Sequence, residues 1–309
     1  MTVNKEGKVV KGLGGLFEVR IEEKSGEVNR VACPAKGILK RDEEKVLIGD
    51  SVLVSFDSLN EGATVISQIL PRKNALIRPP MANLDYIFIV LAAAKPTPVP
   101  ETVDKLTAIA VHNGITPVIV VTKSDLDDTK ENFAEIYRRS GFDTFVTSSE
   151  TGEGVRELSL YISENVKDGK TAAFAGASGV GKSTLLNALF PSLSLSVGEI
   201  SRKIERGKHT TRHVEIFDIE GGGFFADTPG FSLIDFSRFD FFSLDELLPS
   251  FPDVSWFSGG CRYADCVHVG EGKDECAVAD AVRRGELMPS RLESYRSIYR
   301  TLKEKNQYK

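Results

Sequence analysis

The most specific chemistry in this chain lies in Gly176-Ala177-Ser178-Gly179-Val180-Gly181-Lys182-Ser183, with Thr184 next. The run fits G-x-x-x-x-G-K-[ST] in full, after an apolar strand-like stretch and before a helix-forming one. Its glycines let backbone N–H groups turn toward phosphate, and a helix N-terminus adds positive potential. Lys182 is placed for the β- and γ-phosphates and Ser183 for Mg²⁺. Downstream, Asp227-Thr228-Pro229-Gly230 follows the apolar Phe224-Phe225-Ala226. Asp227 there suits Mg²⁺ held through water, and the Gly230 amide suits a γ-phosphate. Between the two lies Arg206-Gly207-Lys208-His209-Thr210-Thr211-Arg212-His213. A threonine hydroxyl of this loop, from Thr210 or Thr211, can reach Mg²⁺ only when the γ-phosphate is present, which is how a switch segment works.

A second constellation precedes the first. Thr122-Lys123-Ser124-Asp125 ends the apolar run Val118 to Val121 and fits [NT]-K-x-D. The Asp125 carboxylate can accept from guanine N1–H and the 2-amino group, donors that adenine lacks, so a site built on this pairing rejects ATP. The Lys123 stem can lie on the base plane. Thr147-Ser148-Ser149-Glu150-Thr151-Gly152 ends another short strand, where the small Ser148 and Ser149 let backbone amides approach the guanine oxygen. Base-reading residues 122–125 and 147–152 therefore come before phosphate residues 176–183, 207–211 and 227–230, a circular permutation of the usual motif order. The same sheet can still form, because permutation is tolerated where termini lie close together.

A third cluster is Cys261, Cys266, His268 and Cys276. Three thiolates and an imidazole suit a tetrahedral, structural Zn²⁺ with no open position. Cys33 stands apart and reads as a buried, inert thiol.

The elements that must position these groups fall into three segments. The 309 residues suggest two or three domains, and a hydrophobic content of 41% supports a core. Residues 1–74 carry short β-rich runs (16–21, 28–32, 52–56, 64–70) and predict an all-β, OB-like barrel. Residues 75–240 alternate apolar strands with helices at 101–112, 133–139, 154–165 and from 183, which predicts an α/β parallel sheet. Val214–Ile219 and Gly223–Ala226 read as a hairpin about Glu220-Gly221-Gly222. Residues 241–309 hold the metal cluster and an amphipathic helix over 290–305, a zinc-binding domain with a helical tail. The longest apolar stretch, Tyr86 to Ala94, is too short to span a bilayer, and no signal-peptide pattern opens the chain, so a cytoplasmic location is expected. Net charge is −5, which excludes a globally basic nucleic-acid binder; residues 281–309 nevertheless hold eight Lys/Arg against three Glu.

Taken together, these motifs resemble the RsgA/YjeQ family of bacterial GTPases of small ribosomal subunit biogenesis. The resemblance rests on the barrel, the linker Pro71-Arg72-Lys73-Asn74-Ala75-Leu76-Ile77-Arg78-Pro79, the permuted order, the Gly-Lys-His-Thr-Thr switch and the Cys/His cluster. It implies an α/β P-loop GTPase of permuted order acting with Mg²⁺, monomeric, without a membrane, whose partners are GTP, GDP and the 30S subunit with its rRNA. It also implies hydrolysis stimulated by the 30S and coupled to release from it. Phe231 follows Gly230 where many GTPases place a water-orienting Gln. The family shares that replacement, and the resemblance points to His209 as the group that positions water, with Lys182 and Thr211 as further catalytic residues. The spacer between His268 and Cys276 is slightly longer than the family's usual one. Two rival readings are a permuted GTPase of the large subunit and a GTP-responsive RNA-binding module with incidental turnover. A zinc-dependent RNA binder with a vestigial nucleotide site is disfavoured by intact Lys182, Ser183 and Asp227.

Overall fold

A computed structural model describes residues 2–37, 45–57, 64–126, 130–191, 214–227, 236, 238–270 and 275–307. In chain order the elements are β1 (Thr2–Leu13), β2 (Leu16–Glu22), β3 (Val28–Pro34), β4 (Ser51–Asp57), β5 (Thr64–Ile69), β6 (Ala75–Ile77), β7 (Pro80–Ala82) and β8 (Tyr86–Ala92). There follow α1 (Pro100–His112), β9 (Thr116–Thr122), α2 (Lys130–Arg139), β10 (Thr144–Val146), α3 (Val155–Asn165), β11 (Thr171–Ala175) and α4 (Lys182–Leu189). The last are β12 (Glu215–Ile219), β13 (Gly223–Asp227), α5 (Pro252–Ser258), α6 (Ala277–Arg283) and α7 (Pro289–Gln307).

The chain divides into two compact units, the first comprising Met1–Asp85, Asn165–Ala173 and His209–Pro229. In it β1 pairs antiparallel with β2 and with β4, β2 with β3, and β4 with β5. A bridge from Ala35 to Ile66 links the end of β3 back to β5, closing five strands into a barrel. Alternate positions face inward as a strand's period of two requires, so Val9, Val19, Ile21, Val52, Val54 and Ile66 form its core. Cys33 is buried there, and burial pushes its thiol up, as expected for an inert cysteine.

β1 continues past a register shift between Val9 and Lys11 to pair with β12 at Lys11↔Glu215. β12 and β13 form the hairpin anticipated around Glu220-Gly221-Gly222, and β13 runs parallel to β11 (Ala173↔Ala226). Ion pairs brace the junction: Lys11 with Glu215, and both Arg20 and Arg30 with Asp218.

The second unit comprises Tyr86–Glu164, Phe174–Lys208 and Gly230–Lys309. Its strands β8, β9 and β10 are parallel, with registers Tyr86↔Thr116 and Thr144↔Ile119. β8 is buried at every residue from Ile87 and β9 at every residue from Pro117, the mark of strands covered on both faces. Residues 174–175 of β11 lead from here into the glycine loop. No helix among the described residues is long and apolar enough to cross a membrane.

Candidate nucleotide site and metal centre

The glycine loop begins where β11 ends. Gly176 has φ +140°, and a Cβ there would stand 2.1 Å from the Val90 carbonyl oxygen, so the loop can lie against β8 only with glycine at this position. Gly181, at φ +98°, caps α4 without a side-chain hydrogen bond, so the first-turn amides of the helix can serve an anion. Lys182 Nζ donates to the Gly176 and Ala177 carbonyls at 2.8 and 2.7 Å, folded over the loop it is to serve.

The base-reading residues are bonded directly to this loop. Buried Thr122 donates from Oγ1 to the Val180 carbonyl at 2.5 Å, with Leu91 O 3.1 Å from the same hydroxyl. Lys123, at φ +57°, reaches across to the Gly179 carbonyl at 2.8 Å and to Lys95 O. Its ammonium thus ties the phosphate loop to the strand-end turn, while its stem borders the cavity. Ser148 Oγ donates to Asp125 Oδ1 at 2.6 Å and itself accepts from the amides of Glu150 and Thr151. The carboxylate is therefore oriented by the second base-reading segment. Ser124 is held by Glu153, its Oγ 2.5 Å from Oε2.

Thr122, Lys123, Asp125, Leu126, Ser149, Glu150, Gly181 and Thr184 line one cavity of ≈ 330 Å³, within the range of small-ligand sites. Residues from both base-reading segments and from the phosphate loop thus converge on a single cleft. Of the other expected site residues, Ser183 lies in the first turn of α4. Asp227 is the last residue of β13, paired in the hairpin with Glu215. His209, Thr210, Thr211, Gly230 and Phe231 lie outside the described residues. Glu153 and Leu126 were not anticipated from the sequence; Glu153 buttresses the site through Ser124, and no local motif marks it.

The metal cluster is assembled. The Sγ atoms of Cys261, Cys266 and Cys276 lie 3.5, 3.3 and 3.5 Å from Nδ1 of His268, and all four donors fall within 4.8 Å of one another. A tetrahedral ion with metal–sulfur bonds of about 2.3 Å and a metal–nitrogen bond of about 2.0–2.1 Å requires sulfur–nitrogen edges of about 3.5 Å. The donor set therefore fits one metal ion. His268 is buried and sits at φ +62°, a left-handed conformation that costs a non-glycine residue about 1–2 kcal/mol.

α7 fixes this region to α1. Arg291, fully buried, donates to Asp104 Oδ1 at 2.6 Å and, through Nε and Nη2, to both oxygens of Asp253 at 2.8 and 3.0 Å. Its guanidinium lies 4.8 Å from the Phe251 ring centroid. Burial pulls the guanidinium down, but the two carboxylates outweigh it and hold it firmly charged; burial raises the Asp104 carboxyl against the pull of Arg291. The surplus positive charge of this segment is largely used within the fold. Arg283 and Arg284 pair with Asp280, Arg296 holds a backbone carbonyl, and Lys305 pairs with Asp240.

The parallel sheet, the phosphate loop and the base-reading turns arranged upstream of it define a circularly permuted P-loop GTPase. Comparison with known proteins gives the same class. A family model for the RsgA GTPase matches residues 69–237, and one for the RsgA N-terminal domain matches residues 6–64. The Small ribosomal subunit biogenesis GTPase RsgA of Geobacillus thermodenitrificans is 39% identical over 305 residues, covering 97% of this chain and 98% of its own. Its counterpart from Bacillus subtilis is 37% identical over 306 residues, with the same coverage of both chains. The crystal structure of YloQ, a circularly permuted GTPase, superposes with TM-score 0.75 at 33% identity, covering 98% of this chain and 96% of YloQ. That of YjeQ from Thermotoga maritima gives 0.76 at 32%, covering 97% and 99%. The chain belongs to the RsgA family, and it is a GTPase, a hydrolase acting on GTP.

Proposed function

We propose that this GTPase assists late maturation of the small ribosomal subunit, and that binding to the 30S stimulates hydrolysis, which in turn drives release. The observation that carries the reading is likeness along the whole chain, barrel and metal region included, to GTPases named for small-subunit biogenesis. Three domains are assigned: an OB-like barrel at 1–74, the permuted GTPase at 75–240 and a metal-binding domain with its helix at 241–309.

In this reading Asp125 and Lys123 hold guanine, with Thr122, Ser124, Ser148 and Ser149 shaping that pocket. Gly176 to Thr184 cradle the phosphates. Ser183 and Thr210 or Thr211 would hold Mg²⁺, with Asp227 holding it through water. When bound, Mg²⁺ would supply neutralisation of phosphate charge; Lys182 stabilises the charge that builds in the transition state, and the Gly230 amide fixes the γ-phosphate. Phe231 has no group to orient water. The intrinsic rate is therefore low, and water positioning falls to His209 once the 30S orders the switch. Zn²⁺ is the ion assigned to the Cys/His cluster, since thiolate and imidazole donors favour it and four protein ligands leave no open position. The ion is structural. The protein acts as a cytoplasmic monomer. The barrel and the exposed Lys303 of α7 are its surfaces for rRNA.

Phe231 also favours a second reading, in which nucleotide state sets RNA affinity and turnover is incidental. Co-sedimentation with 30S subunits, using a non-hydrolysable GTP analogue or GDP, with 50S as control, tests the assignment. Retention on 30S with the analogue and loss with GDP is the expected result. Equal retention on 50S moves the large-subunit reading ahead.

A further inference from the structure

Beyond the four metal donors, α7 reaches the turn that carries the histidine. Arg296 Nε donates to the backbone carbonyl of His268 at 2.7 Å, and Tyr295 OH donates to the carbonyl of Val267 at 3.3 Å. Arg296 thus holds the carbonyl of the one ligand residue that sits in a left-handed conformation, and Tyr295 holds the carbonyl just before it. That conformation turns the imidazole so that Nδ1 faces all three sulfurs. The helix providing the grip is itself immobilised one turn earlier by buried Arg291, locked to Asp104 of α1 and Asp253 of α5.

We infer that Arg296 is a positioning residue of the metal centre. Its guanidinium fixes the His268 backbone, and through it the direction of Nδ1, so that the ion meets a preformed donor set. The inference rests on the metal-centre reading of Cys261, Cys266, His268 and Cys276. The physical ground is that groups orienting a ligand set how well it meets the metal, and their loss costs about 10–100-fold in metal binding. Arg296 meets the condition in an unusual way, holding the main chain of the histidine. Arg300, on the same helix and exposed, makes a matched control.

The test uses the full chain loaded with Zn²⁺ and challenged with a chromogenic chelator, and separately loaded with Co²⁺ for its visible ligand-field bands. Arg296→Met, and Arg296→Gln whose amide stops short of the carbonyl, should bind Zn²⁺ about 10–100-fold more weakly. Arg296→Lys, which keeps a cationic donor, should fall between them and the wild type. The Co²⁺ bands should change in the Met and Gln variants and return toward the wild-type spectrum in Lys, while fluorescent GDP binds all variants equally. Arg300→Met should match the wild type throughout. Wild-type zinc affinity and unchanged Co²⁺ bands in both the Met and Gln variants would overturn the inference, as would an equal loss in Arg300→Met. Failure of the underlying reading looks different: the wild type and Cys266→Ser would then bind Zn²⁺ equally weakly.

Discussion

Arg291→Met offers a quantitative test of how the C-terminal region is held. The guanidinium is fully buried, and its partners Asp104 and Asp253 have side chains 0% and 6% exposed. Methionine fills much of the space but leaves two buried carboxylates facing one another without a cation. Removing one partner of a buried pair costs about 3–5 kcal/mol. The corresponding fall in melting temperature is about 6–20 °C, at about 2–4 °C per kcal/mol for a unit of this size. The deficit must also depend on pH. Burial already raises the Asp104 carboxyl against the pull of Arg291, so once the cation is gone its penalty is present at neutral pH and lifts as pH falls through the folded value. Chemical denaturation of wild type and variant at pH 7.5 and pH 5.5 should therefore show a smaller gap at the lower pH. Adding Asp104→Asn to Arg291→Met should recover part of the loss at pH 7.5. A deficit below about 1 kcal/mol, the range of an exposed pair, or a gap that widens on acidification would refute the reasoning.

Three further outcomes are expected. Asp125→Ala should abolish the preference for GDP over ADP, a loss of up to about 10⁴-fold in discrimination, with Mg²⁺–phosphate contacts intact; titration with both fluorescent nucleotides measures it. His209→Ala should leave GTP affinity unchanged and lower 30S-stimulated turnover well beyond a few-fold, so turnover retained within a few-fold removes His209 from catalysis. Lys8, whose ammonium lies 4.3 Å from the Phe224 ring centroid, is lowered by burial to about 8. Between that value and its unfolded pKa near 10.5 the unfolded chain binds the proton and the native one does not. Wild-type stability relative to Lys8→Met should accordingly rise with pH across this window, by no more than about 3 kcal/mol; denaturation at pH 7.5 and 9.5 reads the difference.

The pieces of the candidate nucleotide site stand out in sequence because each is contiguous and its chemistry is local. A glycine loop needs its own glycines, and Asp125 lies in the turn just after the strand that presents it. The cysteine cluster was legible for the same reason. β1 was not, although it is the longest strand. Lys5-Glu6-Gly7-Lys8 has no apolar alternation, and the strand is held by partners on both edges, β2 and β4. α5 and α6 span seven residues each, too few for a helical period to stand out. The C-terminal helix was found, with Leu292, Tyr295 and Leu302 buried on its inner face. Its arginines read as a solvated basic surface, whereas Arg291 lies in the interior. Burial of a charge depends on carboxylates that are distant in sequence, Asp104 being 187 residues away. Glu153 is unmarked in sequence for a similar reason, since its role comes from Ser124, 29 residues earlier.

The measurement that bears most directly on the central claim is phosphate release from GTP and from ATP, each alone, with purified 30S subunits and with 50S subunits. The account predicts a low basal rate on GTP, strong stimulation by 30S alone, and no comparable turnover of ATP in any arm. GTP binding with a rate that 30S leaves unchanged would contradict it.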